Sequence, residues 1–94
     1  MSFEHVLAKS GLTKVELARI YGVSRQLIYY WSKVGPPRYG TYTARMAEVI
    51  TAALENAMAK GLLPLGAISK EARRARVERM AKTCQSLKPA PARG

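Results

Sequence analysis

The chain has 94 residues, the length of one small domain, and 48% of its residues are hydrophobic while 7% are aromatic. Its formal charge is +10, from 16 Lys and Arg residues against 6 acidic ones, which predicts a polyanionic partner. A domain of this size buries only about 60 to 65% of its unfolded surface, which leaves little room for a deep catalytic pocket. We therefore expect that the protein is not an enzyme.

The chain has one cysteine, Cys84, and one histidine, His5. A lone cysteine forms no internal disulfide, and neither residue has a second Cys or His nearby to complete a metal site. We expect no metal, no cofactor, no small-molecule ligand and no catalytic residue. The N-terminus lacks a basic signal segment, and no apolar run approaches the roughly 18 residues of a membrane span. These features predict a soluble cytoplasmic protein with no membrane partner.

The residue pattern predicts an all-α fold, a compact bundle of about five helices. Apolar residues at three- and four-residue steps between Phe3 and Leu7 predict a short first helix. Thr13 followed by Glu16 can form a capping box, in which each side chain accepts a hydrogen bond from the other residue's backbone N–H. This pair predicts the start of a second helix, and Gly22 predicts its end, because glycine adopts the left-handed conformation at little cost.

Further along the chain, Ser24 can cap a third helix that continues to residue 32. Two prolines within residues 34–40 predict a loop, because proline lacks a backbone donor and disfavours helix at the preceding residue. Ala, Met and Leu recur at helical steps over about residues 43–60 and predict a long fourth helix. An apolar connector, residues 62–67, precedes a fifth helix predicted over about residues 70–84.

The second and third predicted helices, with a short turn at Gly22, match the spacing of a helix-turn-helix. Ala18 lies four residues before Gly22, where a small side chain allows the two helices to cross closely. An ordinary helical hairpin would share the glycine, but it would not require the whole set of inward apolar positions. The structural residues predicted for this unit are Leu17, Ala18, Tyr21, Gly22, Val23, Ile28 and Trp31.

Residues 12–31 resemble the helix-turn-helix of Cro and phage-repressor regulators, chiefly at Ala18, Gly22 to Ser24, Ile28 and Trp31. Gly35 and Pro36 are similar to the loop that follows the recognition helix in small Cro-like proteins. The resemblance covers about residues 3–58. It implies a DNA-binding regulator whose third helix enters the major groove.

With Ile28 and Trp31 directed inward, helical geometry directs Arg25, Gln26 and Tyr29 outward. Arg can bond guanine as a fork and Gln can do the same for adenine, so Arg25 and Gln26 are predicted to contact bases, with Tyr29 beside them. For Tyr30, packing in the core is an equal alternative. The residues suited to the DNA backbone are Lys14, Arg19, Ser24, Tyr30, Lys33, Arg38 and Thr41.

Positive charge is unevenly distributed along the chain. Residues 1–40 carry six basic and two acidic side chains, residues 41–68 carry two of each, and residues 69–94 carry eight and two, so the net charges are +4, 0 and +6. We expect a partner subunit to pack on the neutral, Ala-rich middle. The basic fifth helix is either a solvated face or an arm that contacts DNA phosphates or an acidic partner.

These features divide the chain into three parts. Residues 1–60 are the predicted helix-turn-helix domain, and residues 61–86 are a connector and a basic helix expected to form the dimer or to contact DNA. Residues 87–94 have the composition of a disordered tail. Apolar side chains beyond those a small core needs predict a homodimer interface. The residues predicted there are Val49, Ala52, Met58, Leu62, Leu63 and Leu65.

Together these patterns predict a sequence-specific transcriptional regulator of phage, plasmid or bacterial origin. We expect a repressor that binds double-stranded DNA, at an inverted-repeat operator, as a homodimer. Two alternatives stay open. An architectural protein would use the same basic surface without base contacts. A protein-interaction module, such as an antitoxin or anti-repressor, would present the outer face of the third helix to a protein.

Overall fold

The computed structural model describes residues 3–38 and 40–89. Within that part the chain forms five helices and no strand, which confirms the predicted all-α fold. The helices are α1 (Phe3–Lys9), α2 (Lys14–Tyr21), α3 (Arg25–Val34), α4 (Tyr42–Ala59) and α5 (Lys70–Leu87). Most of the predicted tail, residues 90–94, lies outside the described residues, whereas Leu87 is the last residue of α5.

The caps predicted for α2, α3 and α5 are confirmed, and α4 has one at Thr41. Thr13 Oγ1 accepts a hydrogen bond from the Glu16 N–H at 3.1 Å, and the Glu16 carboxylate accepts one from the Thr13 N–H at 2.9 Å, which completes the capping box. Ser24, Thr41 and Ser69 cap α3, α4 and α5 in the simpler way, by accepting from an N–H in the first turn.

Two helix ends differ from the prediction. Helix α3 continues to Val34, and α5 continues to Leu87 rather than ending near Cys84. No residue before Gly35 or Pro89 breaks the helical hydrogen bonding, and Gly35, with φ of 84°, ends α3. Both extensions lengthen the helices without changing their order.

The core is built around three aromatic rings. Phe3, Tyr21 and Trp31 pack edge to face, with ring centroids 5.6 to 5.8 Å apart. Trp31 is 1% exposed, as its predicted inward position requires. The Tyr21 hydroxyl lies 2.6 Å from Thr51 Oγ1, which supplies this buried group with a hydrogen-bond partner, and burial raises the pKa of the Tyr21 phenol.

Helix α5 belongs to the same core as the other helices. Val77, Ala81 and Cys84 are buried on its inner face, and its most extensive packing is against α2. Helix α2 therefore lies between α3 on one side and α5 on the other. The predicted division near residue 60 does not separate two hydrophobic cores.

One predicted interface residue in the connector before α5 is buried, so that prediction is wrong. Leu63 is 3% exposed and packs in the chain's own core, so it is not available to a second subunit. The reason is that the connector folds back against the turn between α1 and α2, where Pro64 lies beside Gly11. The sequence predicts Leu62, Leu63 and Leu65 as parts of one interface, but Leu63 is buried while its neighbour Leu62 is 61% exposed.

The other predicted interface residues differ in exposure. Ala52 is exposed on α4, and Val49 is half-buried. Met58 and Leu65 are also half-buried, and both pack against the core. Leu62 and Ala52 are thus the exposed members of the predicted set.

Candidate nucleic-acid interface

A tight turn joins α2 to α3. Gly22 has φ of 71°, and the N–H groups of Gly22 and Val23 both donate to the Ala18 carbonyl, at 2.8 and 3.0 Å. Such left-handed geometry favours glycine. Ala18 is 5% exposed, and Val23 is half-buried against the core. Ile28 and Leu17, both fully buried, fix the inner sides of the two helices.

The N-terminal half of α3 exposes the residues predicted to contact bases. Arg25 and Gln26 are exposed, and Tyr29 is 55% exposed. These three residues line a shallow groove together with the start of α2, residues 13–15. Its lining includes Lys14 and Arg25 and no acidic residue. The groove therefore presents positive charge next to hydrogen-bond donors and an aromatic edge.

Lys14 and Tyr29 contact each other across this groove. The Lys14 ammonium lies 4.7 Å from the centre of the Tyr29 ring, within the range of a cation–π interaction. The contact holds Tyr29 against α2 and places a cation beside it. The sequence predicts Lys14 as a phosphate contact but does not predict this pairing, because no spacing rule relates residues of two different helices.

The remaining predicted phosphate-binding residues lie at different places. Lys33 and Arg38 are exposed, on α3 and in the loop after it. The hydroxyl oxygens of Ser24 and Thr41 cap α3 and α4, while their O–H groups stay able to donate. Tyr30 is 61% exposed, so the alternative that it packs in the core is wrong.

Arg19 is not brought to the groove. Its Nε and Nη2 donate to the two carboxylate oxygens of Glu78 on α5, at 2.7 and 2.6 Å. This exposed pair raises the pKa of Arg19 and lowers the pKa of Glu78, because each charged form is stabilised by the other. Arg19, which is predicted to contact a phosphate, thus forms an ion pair within the chain instead.

A second ion pair joins α2 to α5 and was also missed. Arg73 Nε and Nη2 donate to the Glu16 carboxylate at 2.7 Å each, and Nη2 also donates to the Gly11 carbonyl at 2.8 Å. Hydrogen bonding from Arg73 is the main reason that the pKa of Glu16 is lowered. The Arg73 guanidinium thereby compensates the negative charge of Glu16 next to the groove, which reduces the repulsion of a polyanion there.

The C-terminal part of α5 reaches the turn between α2 and α3. Gln85 Nε2 donates to the Ile20 carbonyl at 3.1 Å. A Cβ atom at Gly22 would lie 2.7 Å from both Gln85 Nε2 and Lys88 Nζ. These contacts and the two ion pairs hold α2 along one side of α5. Helix α5 thus supports α2, whose first residues line one side of the groove.

A different groove lies between α1, the loop after α3, and α4. Its lining includes Glu4, Glu48 and Glu55, and Glu55 Oε1 is buried without a hydrogen-bond partner. The predicted interface residue Ala52 and the predicted phosphate contact Arg38 also line it. Three carboxylates make this groove a poor surface for phosphates, in contrast with the groove at Arg25.

Among residues 3–38 and 40–89, no group of three His, Cys, Asp or Glu side chains is placed to hold a metal ion. None of the helices in those residues has the length and apolar content needed to cross a membrane. Comparison of the chain with known protein families, curated proteins and solved structures finds no match.

Proposed function

We propose that the protein is a sequence-specific DNA-binding transcriptional regulator in which α2 and α3 act as a helix-turn-helix. The observation that carries the proposal is the pair Arg25 and Gln26, exposed side by side on the first turn of α3 while Ile28 and Trp31 anchor the same helix in the core. A helix held in this way can enter the major groove without rearranging the protein.

The side chains around this pair have complementary chemistry. Arg25 can donate two hydrogen bonds to guanine O6 and N7, and Gln26 can bond adenine N6 and N7. Tyr29, held by Lys14, is placed to contact a thymine methyl group or a phosphate. Phosphate contacts fix the register of the protein on the duplex without selecting a sequence. Arg38 lines the groove that holds three carboxylates and is less suited to a phosphate. The side chains available for such contacts are Lys14, Ser24, Tyr30, Lys33 and Thr41.

Selection of bound sites from random DNA tests this function. We expect the wild-type protein to enrich one sequence. Arg25→Ala and Gln26→Ala should each weaken binding to it by about 1 to 3 kcal/mol and relax selection at one or two base pairs. Lys60→Ala removes an exposed charge on the far end of α4 and is the matched control for Arg25→Ala.

Two results would contradict the proposal. Equal losses for the Arg25→Ala variant on selected and random DNA would remove Arg25 from base contacts. Failure of the wild-type protein to enrich any sequence would favour the architectural alternative, in which charge alone binds DNA.

The protein-interaction alternative has one observation in its favour. Tyr30 and Val34 lie four residues apart on α3, and each is 61% exposed, so this helix also carries an apolar strip on its outer surface. The strip lies beside Arg25 and Gln26 rather than in place of them. A Tyr30→Ala/Val34→Ala variant that binds the selected DNA normally would leave the strip free for a protein partner.

We further propose that the regulator is a repressor and acts as a homodimer on an inverted repeat, with half-site centres about 10 to 10.5 base pairs apart. Exposed Leu62 supports a dimer contact near the connector, with Ala52 and half-buried Val49 on α4 as further apolar surface. Leu62→Glu should yield folded monomers that bind the full site less tightly, as measured by sedimentation and DNA titration.

The adjacent Leu63 provides the control for this experiment. Leu63→Glu would bury a charge in the core, so it should lower the melting temperature strongly, whereas Leu62→Glu should not. A wild-type protein that sediments as a monomer at high concentration, and binds a half-site as tightly as a full site, would refute the dimer.

A further inference from the structure

Helix α5 has two faces with different surroundings. Val77, Ala81 and Cys84 are buried against the rest of the chain. At 3.6 residues per turn, Arg79 lies about 160° around the helix from Val77, nearly opposite the buried face. The side of α5 centred on Arg79 therefore points away from α2 and from the core.

The basic side chains of α5 divide between these faces. Arg73 is bound to Glu16, and Arg74 and Lys82 are close enough to Glu78 to contribute to its lowered pKa. Arg76 and Arg79 are exposed, and neither guanidinium makes an ion pair or a hydrogen bond with the described residues. These two charges are therefore uncompensated by the chain itself.

The outer face around Arg76 and Arg79 is uniform in sign. Lys82 lies one turn further along the same side, and the three residues span an arc of about 120°. Helical geometry places Glu71 and Glu78 outside that arc. The other residues within it have small side chains, which allow a partner to approach the helix closely. They are Ala72, Ala75, Thr83 and Ser86.

This composition favours a nucleic-acid backbone over an acidic protein. The anchors of protein interfaces are enriched in Trp, Tyr and Arg buried together, and this arc has arginines but no aromatic or large apolar side chain beside them. Interfaces with nucleic acids are more polar and more positively charged. Arg76 and Lys82 are about 9 Å apart along the helix axis, a distance over which a duplex presents about five phosphate charges.

We propose that the outer face of α5, centred on Arg76 and Arg79, is a second nucleic-acid-binding surface, which contacts duplex phosphates without regard to sequence. This surface would bind the same class of partner as the proposed site at α3, but it lies on a different helix. Since α2 separates α5 from α3, this surface would hold a flanking or second stretch of duplex rather than the bases that α3 contacts.

The test measures binding of the full chain to a random-sequence duplex over a range of salt concentrations. The Arg76→Gln/Arg79→Gln variant removes two contacts and should reduce the slope of log affinity against log salt by about 1.8. Raising salt from about 50 to 200 mM should then weaken its binding about twelvefold less than that of the wild-type protein.

The matched control is Lys9→Gln/Lys60→Gln, which removes the same formal charge from exposed positions on α1 and after α4. It should retain nearly the wild-type slope. A slope for the α5 variant equal to that of the control would overturn the proposal, because the effect would then be one of net charge only. Thermal melting should show all three proteins equally folded, since every substituted side chain is exposed.

Two more outcomes distinguish this proposal from an acidic protein partner and from the proposed base contacts at α3. If the α5 variant loses binding to poly-glutamate while its DNA slope stays unchanged, the face binds an acidic protein and the duplex proposal is overturned. If the slope falls as expected but Arg25→Ala/Gln26→Ala changes neither affinity nor selectivity, the α5 surface is supported and the proposed base contacts at α3 fail.

Discussion

Helices α3 and α5 both carry exposed Arg residues, but their surroundings differ. On α3, Arg25 is followed by Gln26 and stands beside Tyr29, so charge is mixed with groups that can distinguish bases. On the outer face of α5, Arg76 and Arg79 are accompanied only by small or basic residues. The surface on α3 therefore has groups that can select a base sequence, whereas the surface on α5 can attract a polyanion only by its charge.

A second contrast lies within α5 itself. Arg73 and Arg76 are three residues apart on the same helix, yet Arg73 is fixed by Glu16 and the Gly11 carbonyl while Arg76 has no partner in the described chain. Residue type alone therefore does not determine whether an arginine is paired within the chain. The position of distant acidic residues does.

The largest expected effect concerns the anchoring of α3. Trp31→Ala removes a side chain that is 1% exposed and packs against two other aromatic rings, so unfolding free energy should fall by about 3 to 5 kcal/mol. The adjacent Tyr30→Ala should change it by less than about 0.5 kcal/mol, because Tyr30 is exposed. Urea denaturation measures both, and equal effects would refute the assigned faces of α3.

The anchoring of α3 could be predicted because its signals are local. The capping pair Thr13 and Glu16, the left-handed Gly22 and the inward positions of Ile28 and Trp31 each depend on residues a few positions apart. Short-range geometry is the same in almost any helical fold. This is why the outward positions of Arg25, Gln26 and Tyr29 can be predicted from the sequence.

The support of the groove by α5 could not be predicted in the same way. Glu16 and Arg73 are 57 residues apart, and nothing in either local pattern selects the other as its partner. The sequence predicts α5, but it does not predict which helix covers the side that carries Val77, Ala81 and Cys84. Likewise, the burial of Leu63 depends on where the connector folds back, which its apolar composition leaves open.

A smaller effect on the free energy of unfolding should follow from breaking the ion pair between α2 and α5. Arg73→Ala leaves the partly buried Glu16 carboxylate without its main partner and should lower the unfolding free energy at pH 7 by about 1 kcal/mol. Arg76→Ala should have no measurable effect. A similar loss for both variants would show that the ion pair contributes nothing beyond net charge.

The pH dependence of this difference has a definite sign. The pKa of Glu16 is lower in the folded chain than its ordinary value, so the pair stabilises the fold above that value and ceases to do so as pH falls through the folded pKa. The gap in stability between wild-type and Arg73→Ala proteins should therefore be constant near neutral pH and close below about pH 4. A gap that persists at pH 2 would assign the effect to the hydrogen bond from Arg73 to the Gly11 carbonyl or to packing of the Arg73 side chain, and not to the ion pair.

The smallest expected effect compares two lysines near α3. Lys14→Ala and Lys33→Ala each remove one positive charge, so each should reduce the salt slope of DNA binding by about 1 if both contact phosphates. Lys14 also lies 4.7 Å from the centre of the Tyr29 ring, and its loss releases that ring from α2. The Lys14 variant should therefore bind the selected site about 0.5 to 1 kcal/mol more weakly than the Lys33 variant, the usual strength of an exposed cation–π contact.

In a Tyr29→Ala background the two lysine variants should become equivalent, because the contact that distinguishes them is gone. If the difference persists there, Lys14 acts through the DNA alone and Tyr29 is positioned without it.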